Sequence, residues 1–197
     1  MRIVVATHNA HKLAEMRAIV SGTAVELIGL REVGFDRAIE ETGTTFDANA
    51  TLKALTVHDA VGGWVLADDS GLEVAALDGR PGVMTARFAG PDATDDENVR
   101  HLLDVMLEVP RELRGARFMC AMALVDGARR VTLHHGVLNG AIAEAPRGRH
   151  GFGYDPIFVP EGMSHTLAEL SADTKNRMSH RSRALMRVLA HLARDVG

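Results

Sequence analysis

The sequence predicts an α/β protein, because short apolar runs alternate along the chain with stretches of helical hydrophobic spacing. Arg2–Ala6 is the first apolar run, and the apolar residues of Leu13–Val20 then recur at helical spacing. The run 64–67 predicts a short buried strand that ends on two adjacent carboxylates, Asp68 and Asp69. The 197 residues are enough for one domain with a sizeable core.

Composition and charge exclude several classes of protein. The 46% hydrophobic and 24% charged residues are those of an ordinary soluble globular protein. A net charge of −4 gives no basic field for nucleic acid or an anionic membrane, and no apolar run is long enough to span a bilayer. The single cysteine, Cys120, excludes an internal disulfide framework and favours a reducing compartment. We therefore expect a cytoplasmic protein that binds neither nucleic acid nor membrane.

A polar loop, Thr7–Lys12, joins the first strand to the first helix. Backbone N–H groups and the Lys12 ammonium then lie at a helix N-terminus, which suits an anion. The glycines of a Walker loop are missing. A capped helix with an exposed lysine is an equally good interpretation of this segment alone.

An acidic loop with Glu40 and Glu41 precedes the second helix. Thr44 and Asp47 resemble a capping box at the start of that helix. Two glutamates before a helix are usually a solvated turn that favours the helix dipole. Here they could also supply a second carboxylate to a metal ion held by Asp69.

The rest of the chain alternates in the same way. The other predicted elements are a strand at Ala24–Ile28, a helix from the capping box Thr94–Glu97 to Pro110, a hairpin of Ala116–Val125 and Val131–Val137 with a tight turn at Asp126-Gly127, a strand at Ala141–Ala145 and a last helix opened by the basic run Asp173–Arg183. Basic residues at a helix start oppose the dipole, which indicates a function, although most charge runs are solvated faces.

The paired acids and the lysines point to phosphate chemistry. Adjacent carboxylates at a strand end are costly unless a cation offsets their repulsion, and Mg²⁺ is a suitable partner because it takes carboxylate and phosphate oxygens. A solvated acidic turn is the alternative. Only three of the 22 Lys and Arg residues are lysines. Lys12 lies in the polar loop, Lys53 in the second predicted helix and Lys175 in the basic run. Lysine is a compact charge that suits phosphate.

A glycine–aromatic loop completes the pattern. Gly151 and Gly153 flank Phe152 and precede Tyr154 and Asp155. The glycines let the backbone approach a ligand on which a ring stacks, whereas a tight turn with Phe152 packed inward is the alternative. Together these features suit a nucleoside triphosphate.

Six segments, in this order along the chain, resemble one family. They are Thr7–Lys12, Glu41–Phe46, Ala67–Leu72, Pro81–Arg87, Gly151–Pro156 and Ser179–Arg181. From about residue 2 to about residue 192 the chain closely resembles the inosine triphosphate pyrophosphatase family, the Ham1/RdgB-like house-cleaning enzymes. His8 and Thr85 depart from the residues usual in that family. The resemblance implies a long mixed β-sheet flanked by helices, two lobes with a central cleft in a single bilobed domain (residues 1–197), and a homodimer.

The resemblance also implies an activity with Mg²⁺ as cofactor. The family hydrolyses non-canonical purine triphosphates (dITP, ITP, XTP) to the monophosphate and pyrophosphate, which keeps them out of nucleic acids. Asp69 is expected to be catalytic and to bind the metal with Glu41 or, as the less favoured neighbour, Glu40. The substrate-binding residues expected are Thr7, His8, Asn9, Ala10, His11, Lys12, Lys53, Ser70, Phe152, Gly153, Tyr154, Asp155, Lys175, His180 and Arg181. Phe152 is expected to stack on the base, and His180 and Arg181 to read its 6-carbonyl.

Two other functions compete with this one. A non-catalytic nucleotide sensor would keep the cleft but release no pyrophosphate, and the intact acids argue against it. A Maf-like pyrophosphatase would act on modified pyrimidine or canonical nucleotides, but Gly151–Asp155 and Ser179–Arg181 favour purines. The irregular segment Gly79–Phe88 is the expected dimer contact.

Overall fold

The computed structural model describes residues 1–195, and within this range it has six strands and five α-helices. The strands are β1 (Arg2–Val5), β2 (Glu26–Gly29), β3 (Val65–Val74), β4 (Gly115–Val125), β5 (Val131–Ile142) and β6 (Phe158–Pro160). The helices are α1 (Ala10–Val20), α2 (Phe46–Val61), α3 (Asp95–Val105), α4 (Ala172–Met178) and α5 (His180–Asp195). None of these helices combines the length and the apolar character needed to cross a membrane.

The strands form one mixed sheet in the order β2-β1-β3-β4-β5-β6. β1 is parallel to both β2 and β3, with Val4 opposite Ile28 on one side and Val65 on the other. β6 is antiparallel to β5, with Ala141 opposite Val159. The expected α/β fold with a mixed sheet is confirmed.

The chain folds as two compact units. Unit 1 comprises Met1–Asp69, Cys120–Gly136 and the chain from His180 onward, and unit 2 comprises Ser70–Met119 and Val137–Ser179. The boundaries fall inside β3, β4 and β5, so each of these strands continues from one unit into the other.

In unit 1 both faces of the sheet are covered by helices. Alternate residues of a strand point to opposite faces, so a strand buried on both sides is apolar throughout. Leu66 belongs to a core cluster with Met16 of α1 and Leu185 of α5. Ala67, the next residue of β3, belongs to a second cluster with Ala54 of α2. One face therefore packs on α1 and α5, and the other packs on α2.

Unit 2 has a core of its own. Leu72 of β3 and Leu102 of α3 lie in one cluster with Phe118 of β4 and Phe158 of β6. The two phenylalanine rings have their centroids 4.6 Å apart. The predicted capping box at the start of α3 is confirmed, because Thr94 and Glu97 each accept from the other's backbone N–H.

Two strand predictions are wrong. The central strand does not end at Ala67 but continues through both acids to Val74, because partners in the fold neutralise carboxylates that look like a turn in sequence. There is no separate strand at Ala141–Ala145, since β5 itself runs to Ile142.

The turn before β5 is also longer than the two residues predicted. Asp126 Oδ1 accepts from the backbone N–H groups of Ala128 and Arg130.

Three helix predictions also need correction. The helix predicted to run to Pro110 ends at Val105, and residues 106–108 form a turn. Thr45, not Thr44, caps α2, because its hydroxyl accepts from the backbone N–H of Ala48 at 3.1 Å. The basic run Asp173–Arg183 was predicted to begin a single last helix, but the structure has two helices there. It spans α4 and the start of α5, and Ser179, which has extended backbone angles, separates the two helices.

Candidate active site

Two neighbouring aspartates in the middle of β3 form the centre of the site in unit 1. Asp68 and Asp69 are only 1% and 6% exposed. Because side chains alternate along a strand, Asp68 lies on the side of α1 and α5, and Asp69 lies on the side of α2. Each carboxylate has cationic partners on its own side, which is what buried charges require.

Asp69 shares a lysine with the acidic loop. Lys53 Nζ donates to Asp69 Oδ1 at 2.9 Å and to Glu41 Oε1 at 2.6 Å. Asn49 Nδ2 donates to the other oxygen of Asp69 at 3.2 Å. Asn49 and Lys53 are four residues apart on α2 and so lie on the same face of the helix.

This cluster contains one buried positive charge, the Lys53 ammonium, which lies among the acids. Burial lowers the pKa of Lys53, but the carboxylates of Asp68, Asp69 and Glu41 raise it by more, so the ammonium stays charged. Burial raises the pKa of Asp69 above its ordinary value, against the opposing effect of Lys53. The aspartate is therefore a stronger base than an exposed one.

Asn49 is a residue of the site that the sequence analysis missed. Its side chain is 1% exposed, and its Oδ1 accepts from the backbone N–H of Gly43 at 2.7 Å. A Cβ at position 43 would lie 2.6 Å from that oxygen, so glycine permits this close approach of the acidic loop. The available signal was a poor helix former one turn before Lys53.

Asp68 has two cationic partners. Its Oδ2 lies 3.0 Å from Lys12 Nζ and 3.4 Å from Arg181 Nε. Arg181, only 2% exposed, also donates through Nη1 to Glu15 Oε2 at 2.5 Å. Burial raises the pKa of Asp68, but Lys12, Arg181 and Lys53 together hold it far below its ordinary value. Glu15 was not predicted, although it follows Lys12 by three residues and so lies near it on α1.

The loop Thr7–Lys12 forms the N-terminus of α1. Asn9 is its N-cap, with Oδ1 accepting from the backbone N–H of Lys12 at 3.1 Å, and Thr7 Oγ1 accepts from Asn9 N–H at 3.2 Å. Ala10 and His11 are the first, exposed residues of the helix. His8 is exposed, and its Nε2 lies 2.9 Å from the carbonyl oxygen of Arg37.

Unit 2 contains a second cluster of predicted residues. Asp155 Oδ2 accepts from Lys175 Nζ at 2.5 Å and from the backbone N–H of Phe152 at 2.9 Å. The Lys175 ammonium lies 4.7 Å from the centroid of the Phe152 ring, a cation–π contact. Gly151 has a φ of +80°, and a Cβ there would lie 2.0 Å from Asp155 Oδ2, so only glycine fits.

Some of the predicted residues are in direct contact, and they form two groups. In unit 1, Lys12 and Arg181 contact Asp68, and Lys53 contacts both Glu41 and Asp69. In unit 2, Lys175 contacts Asp155 and the ring of Phe152. Glu41 lies beside Asp69, whereas Glu40 is exposed and makes no hydrogen bond or ion pair with the described residues. Ser70 follows Asp69 in β3 but is the first residue of unit 2. His180 is a buried residue at the start of α5 in unit 1. In unit 2, the hydroxyl group of Tyr154 donates a hydrogen bond to the carbonyl oxygen of Thr85 at 2.9 Å. Gly153 follows Phe152 in the loop.

The donor chemistry around Lys53 fits a hard divalent cation. The oxygens of Glu41 and Asp69 both point at one ammonium, so they already surround a single positive charge. Within residues 1–195 no group of three or more His, Cys, Asp or Glu side chains could hold a metal alone. Mg²⁺ is commonly held by one or two carboxylates, with phosphates and water completing the shell.

Comparison with known proteins gives one consistent result. A model of the Ham1 family matches residues 3–191. A dITP/XTP pyrophosphatase of Thermoanaerobacter pseudethanolicus is 44% identical over 188 residues, which cover 95% of this chain and 94% of the relative. The Bacillus subtilis protein of the same name is 44% identical over 185 residues, 94% of this chain and 93% of its own. The structure of the Staphylococcus aureus Ham1 protein matches with a TM-score of 0.88 and 36% identity, over 99% of this chain and all of that one.

Proposed function

This chain belongs to the Ham1 family, and from that membership we propose that it hydrolyses dITP, XTP and ITP to the monophosphate and pyrophosphate. Relatives that match it over almost their whole length are dITP/XTP pyrophosphatases. The observation that carries the proposal is the group of Glu41, Lys53 and Asp69, because it combines a buried base, a positive charge and oxygen donors for a metal. By removing such triphosphates the enzyme would keep them out of nucleic acids.

Each of the three lysines would bind phosphate. In the structure every lysine of the chain is paired with an aspartate: Lys12 with Asp68, Lys53 with Asp69 and Lys175 with Asp155. These charges are therefore held in place before substrate arrives, which lowers the cost of ordering them on binding. The N-terminus of α1 adds backbone N–H groups, and Thr7, Asn9 and Ser70 would add hydrogen bonds to the phosphates. His8, Ala10 and His11 would be further substrate-binding residues.

Asp69 would orient the attacking water and accept its proton. The water oxygen forms a bond to the α-phosphorus while the bond from that phosphorus to the bridging oxygen breaks, and pyrophosphate leaves with the electron pair. Lys53, which lies 2.9 Å from this carboxylate, would stabilise negative charge on the phosphates.

Asp69 and Glu41 would hold the metal ion, for which we propose Mg²⁺. Bound there, the ion neutralises charge that develops on the phosphate oxygens. Glu40 is the weaker candidate, since it is exposed and faces no partner among the described residues.

The base would be recognised in two ways. Phe152 offers a ring for stacking, positioned by Asp155 and Lys175, with Gly153 and Tyr154 completing its loop. His180 and Arg181 would donate to the 6-carbonyl of hypoxanthine or xanthine. Adenine presents an amino donor at that position, and a donor facing a donor costs several kcal/mol, enough for about 10²-fold discrimination. Guanine shares the carbonyl, so its 2-amino group must account for its exclusion.

Each chain would form a single bilobed domain, and two chains would associate as a cytoplasmic homodimer. The segment Gly79–Phe88 includes the 3₁₀ helix Gly82–Arg87, and in it Met84 is 45% exposed. We propose this segment as the contact between subunits. Light scattering on the purified protein should give twice the mass of the 21.2 kDa chain, and a monomer at micromolar concentration would argue against the dimer.

A panel of triphosphates with a product assay tests the activity. We expect pyrophosphate and monophosphate from dITP, XTP and ITP, a preference of about 100-fold over dATP, and no turnover after chelation of divalent metals. Asp69→Asn should lower kcat by at least about 10²-fold while leaving the melting temperature close to that of the wild type. Asp59→Asn, on the exposed end of α2, is the control and should keep full activity.

The same panel separates the other two candidate functions. Tight nucleotide binding without release of pyrophosphate would indicate a sensor. Preference for modified pyrimidine or canonical triphosphates would indicate a Maf-like pyrophosphatase. Release of orthophosphate would contradict cleavage between the α- and β-phosphates.

A further inference from the structure

The loop that carries Phe152 is tethered to the start of α3. The backbone N–H of Gly153 donates to Asp95 Oδ2 at 2.7 Å. Asp95 is the first residue of α3, and it is 58 residues away from the loop in sequence. A hydrogen bond between a backbone N–H and a carboxylate is about twice as strong as one between neutral groups. This bond fixes the residue next to the ring.

The tether is part of a closed ring of hydrogen bonds in unit 2. Tyr154, the next residue of the loop, donates to the carbonyl of Thr85 at 2.9 Å. Asn98 of α3 in turn donates to the carbonyl of Ala86 at 3.1 Å. The contacts therefore run from α3 to the loop, from the loop to the 85–86 segment, and back to α3. A closed set of this kind restrains the loop from two sides.

The stability of α3 does not explain why the Asp95 carboxylate accepts from the loop. Asp95, Asp96 and Glu97 fill the first turn, where acids favour the helix dipole. Thr94 and Glu97 already form the capping box, and the Asp96 carboxylate makes no hydrogen bond or ion pair within residues 1–195. Of the three acids, only Asp95 reaches outside its own helix.

We propose that Asp95 is a positioning residue for base recognition, because it holds the Gly153 amide and thereby the ring of Phe152 in the orientation that accepts a purine. The proposal rests on the function given above, in which Phe152 stacks on the base. Asp95 touches neither base nor phosphate in this scheme, so its removal should weaken recognition of the base and leave recognition of polyphosphate unchanged.

Hydrogen exchange on the free protein tests the tether without any substrate. In Asp95→Ala the amides of residues 151–155 should exchange at least about 10-fold faster than in the wild type, because the Gly153 amide has lost a charged acceptor. The matched control is Asp96→Ala, which removes an equal charge from the same helical turn and should leave this loop as protected as before. Equal protection in the two variants would overturn the proposal.

Steady-state kinetics test the consequence for the base. Asp95→Ala should raise the KM for dITP about 10-fold with a smaller effect on kcat, whereas Asp95→Asn, which keeps an acceptor oxygen, should recover most of the loss. The Ki of inorganic tripolyphosphate, which has no ring to stack, should not change. A parallel rise in KM and Ki would assign Asp95 to the phosphates and overturn the proposal.

The two tests distinguish this proposal from the proposed function. If the wild type hydrolyses dITP and Asp95→Ala behaves like Asp96→Ala in both tests, only the role of Asp95 fails. If the wild type neither binds nor hydrolyses dITP, the proposed function fails and base recognition by this loop fails with it, even where the exchange result confirms the tether.

Discussion

Asp68 and Asp69 show how far the environment of a side chain determines its chemistry. The two residues are identical and adjacent, yet the pKa of Asp68 lies far below its ordinary value and that of Asp69 lies above it. Asp68 has two strong cationic partners, whereas Asp69 shares Lys53 with Glu41. Asp68 is therefore held in its ionised form by its cationic partners, whereas Asp69 is the more readily protonated of the two.

Substitutions in the acidic loop test whether Glu41 or Glu40 binds the metal ion. We expect Glu41→Gln to raise the Mg²⁺ concentration needed for half-maximal rate by about 10-fold or more, because a neutral amide is a weaker ligand. Glu40→Gln changes the same charge one residue away and is the matched control. A larger effect at position 40 than at position 41 would contradict the assignment.

Arg181 allows a test of how the 6-carbonyl is recognised. Arg181→Lys keeps a positive charge between Glu15 and Asp68 but loses the guanidinium geometry. We expect the preference for dITP over dATP, measured as a ratio of kcat/KM values, to fall about 10-fold with a small change in melting temperature. Arg187→Lys, also on α5, should leave that ratio unchanged. An unaltered ratio in Arg181→Lys would show that another residue recognises the base.

Asp68 predicts how the stability of the protein depends on pH. Its pKa is lower in the folded protein than the value of about 3.9 expected in the unfolded chain. Its ion pairs therefore contribute fully to stability above that pH, and the contribution is lost progressively as the pH falls from about 4 towards the folded pKa. Asp68→Asn should lower the free energy of unfolding at pH 7 by about 3 kcal/mol. Its unfolding free energy should also fall less between pH 5 and pH 3 than that of the wild type, as measured by urea titration. A slope equal to the wild type's would show that other carboxylates dominate.

At the scale of elements, the alternation of β3 and the spacing of α2 build the site. Hydrophobic patterns and the strand–loop–helix order were sufficient to predict most strands and helices. They were not sufficient to place the end of β3, because its acids are tolerated only through partners such as Lys53 and Arg181, which are 16 and 113 residues away from them. Asn49 was not predicted as a site residue for the same reason, because a single polar residue in a helical sequence does not indicate which group it contacts in the fold.

The start of α2 provides a stability test for a single element. Thr45→Ala should lower the free energy of unfolding by about 1 kcal/mol, because the Ala48 amide loses its cap. Thr44→Ala, which the sequence had suggested as the capping position, should change it by less than about 0.5 kcal/mol. Urea denaturation followed by circular dichroism measures both. The opposite ranking would restore Thr44 as the cap.

At the scale of the whole molecule, two units share three strands. Each unit has its own apolar core, but β3, β4 and β5 pass through both. Breaking one unit therefore removes the continuation of three strands in the other. We infer that the two units unfold together.

The aromatic residues make this inference measurable. The chain has one tryptophan, Trp64 in unit 1, and one tyrosine, Tyr154 in unit 2. In a denaturant titration the fluorescence of Trp64 and the near-ultraviolet signal of Tyr154 should change at the same midpoint, as expected of a two-state transition. Two separated midpoints would show that the units unfold independently.

The side chains of β3 alternate between the two faces of the sheet, and this alternation restricts insertions and deletions in the part of the gene that encodes the strand. Loss of a single codon between Val65 and Ala67 would move Asp68 to the side of Lys53 and Asp69 to the side of Arg181, because each later side chain changes face. Loss of two codons would shorten the strand but leave both acids on their original sides. Natural variants of this stretch should therefore differ by substitution, and any that differ in length should do so in even steps.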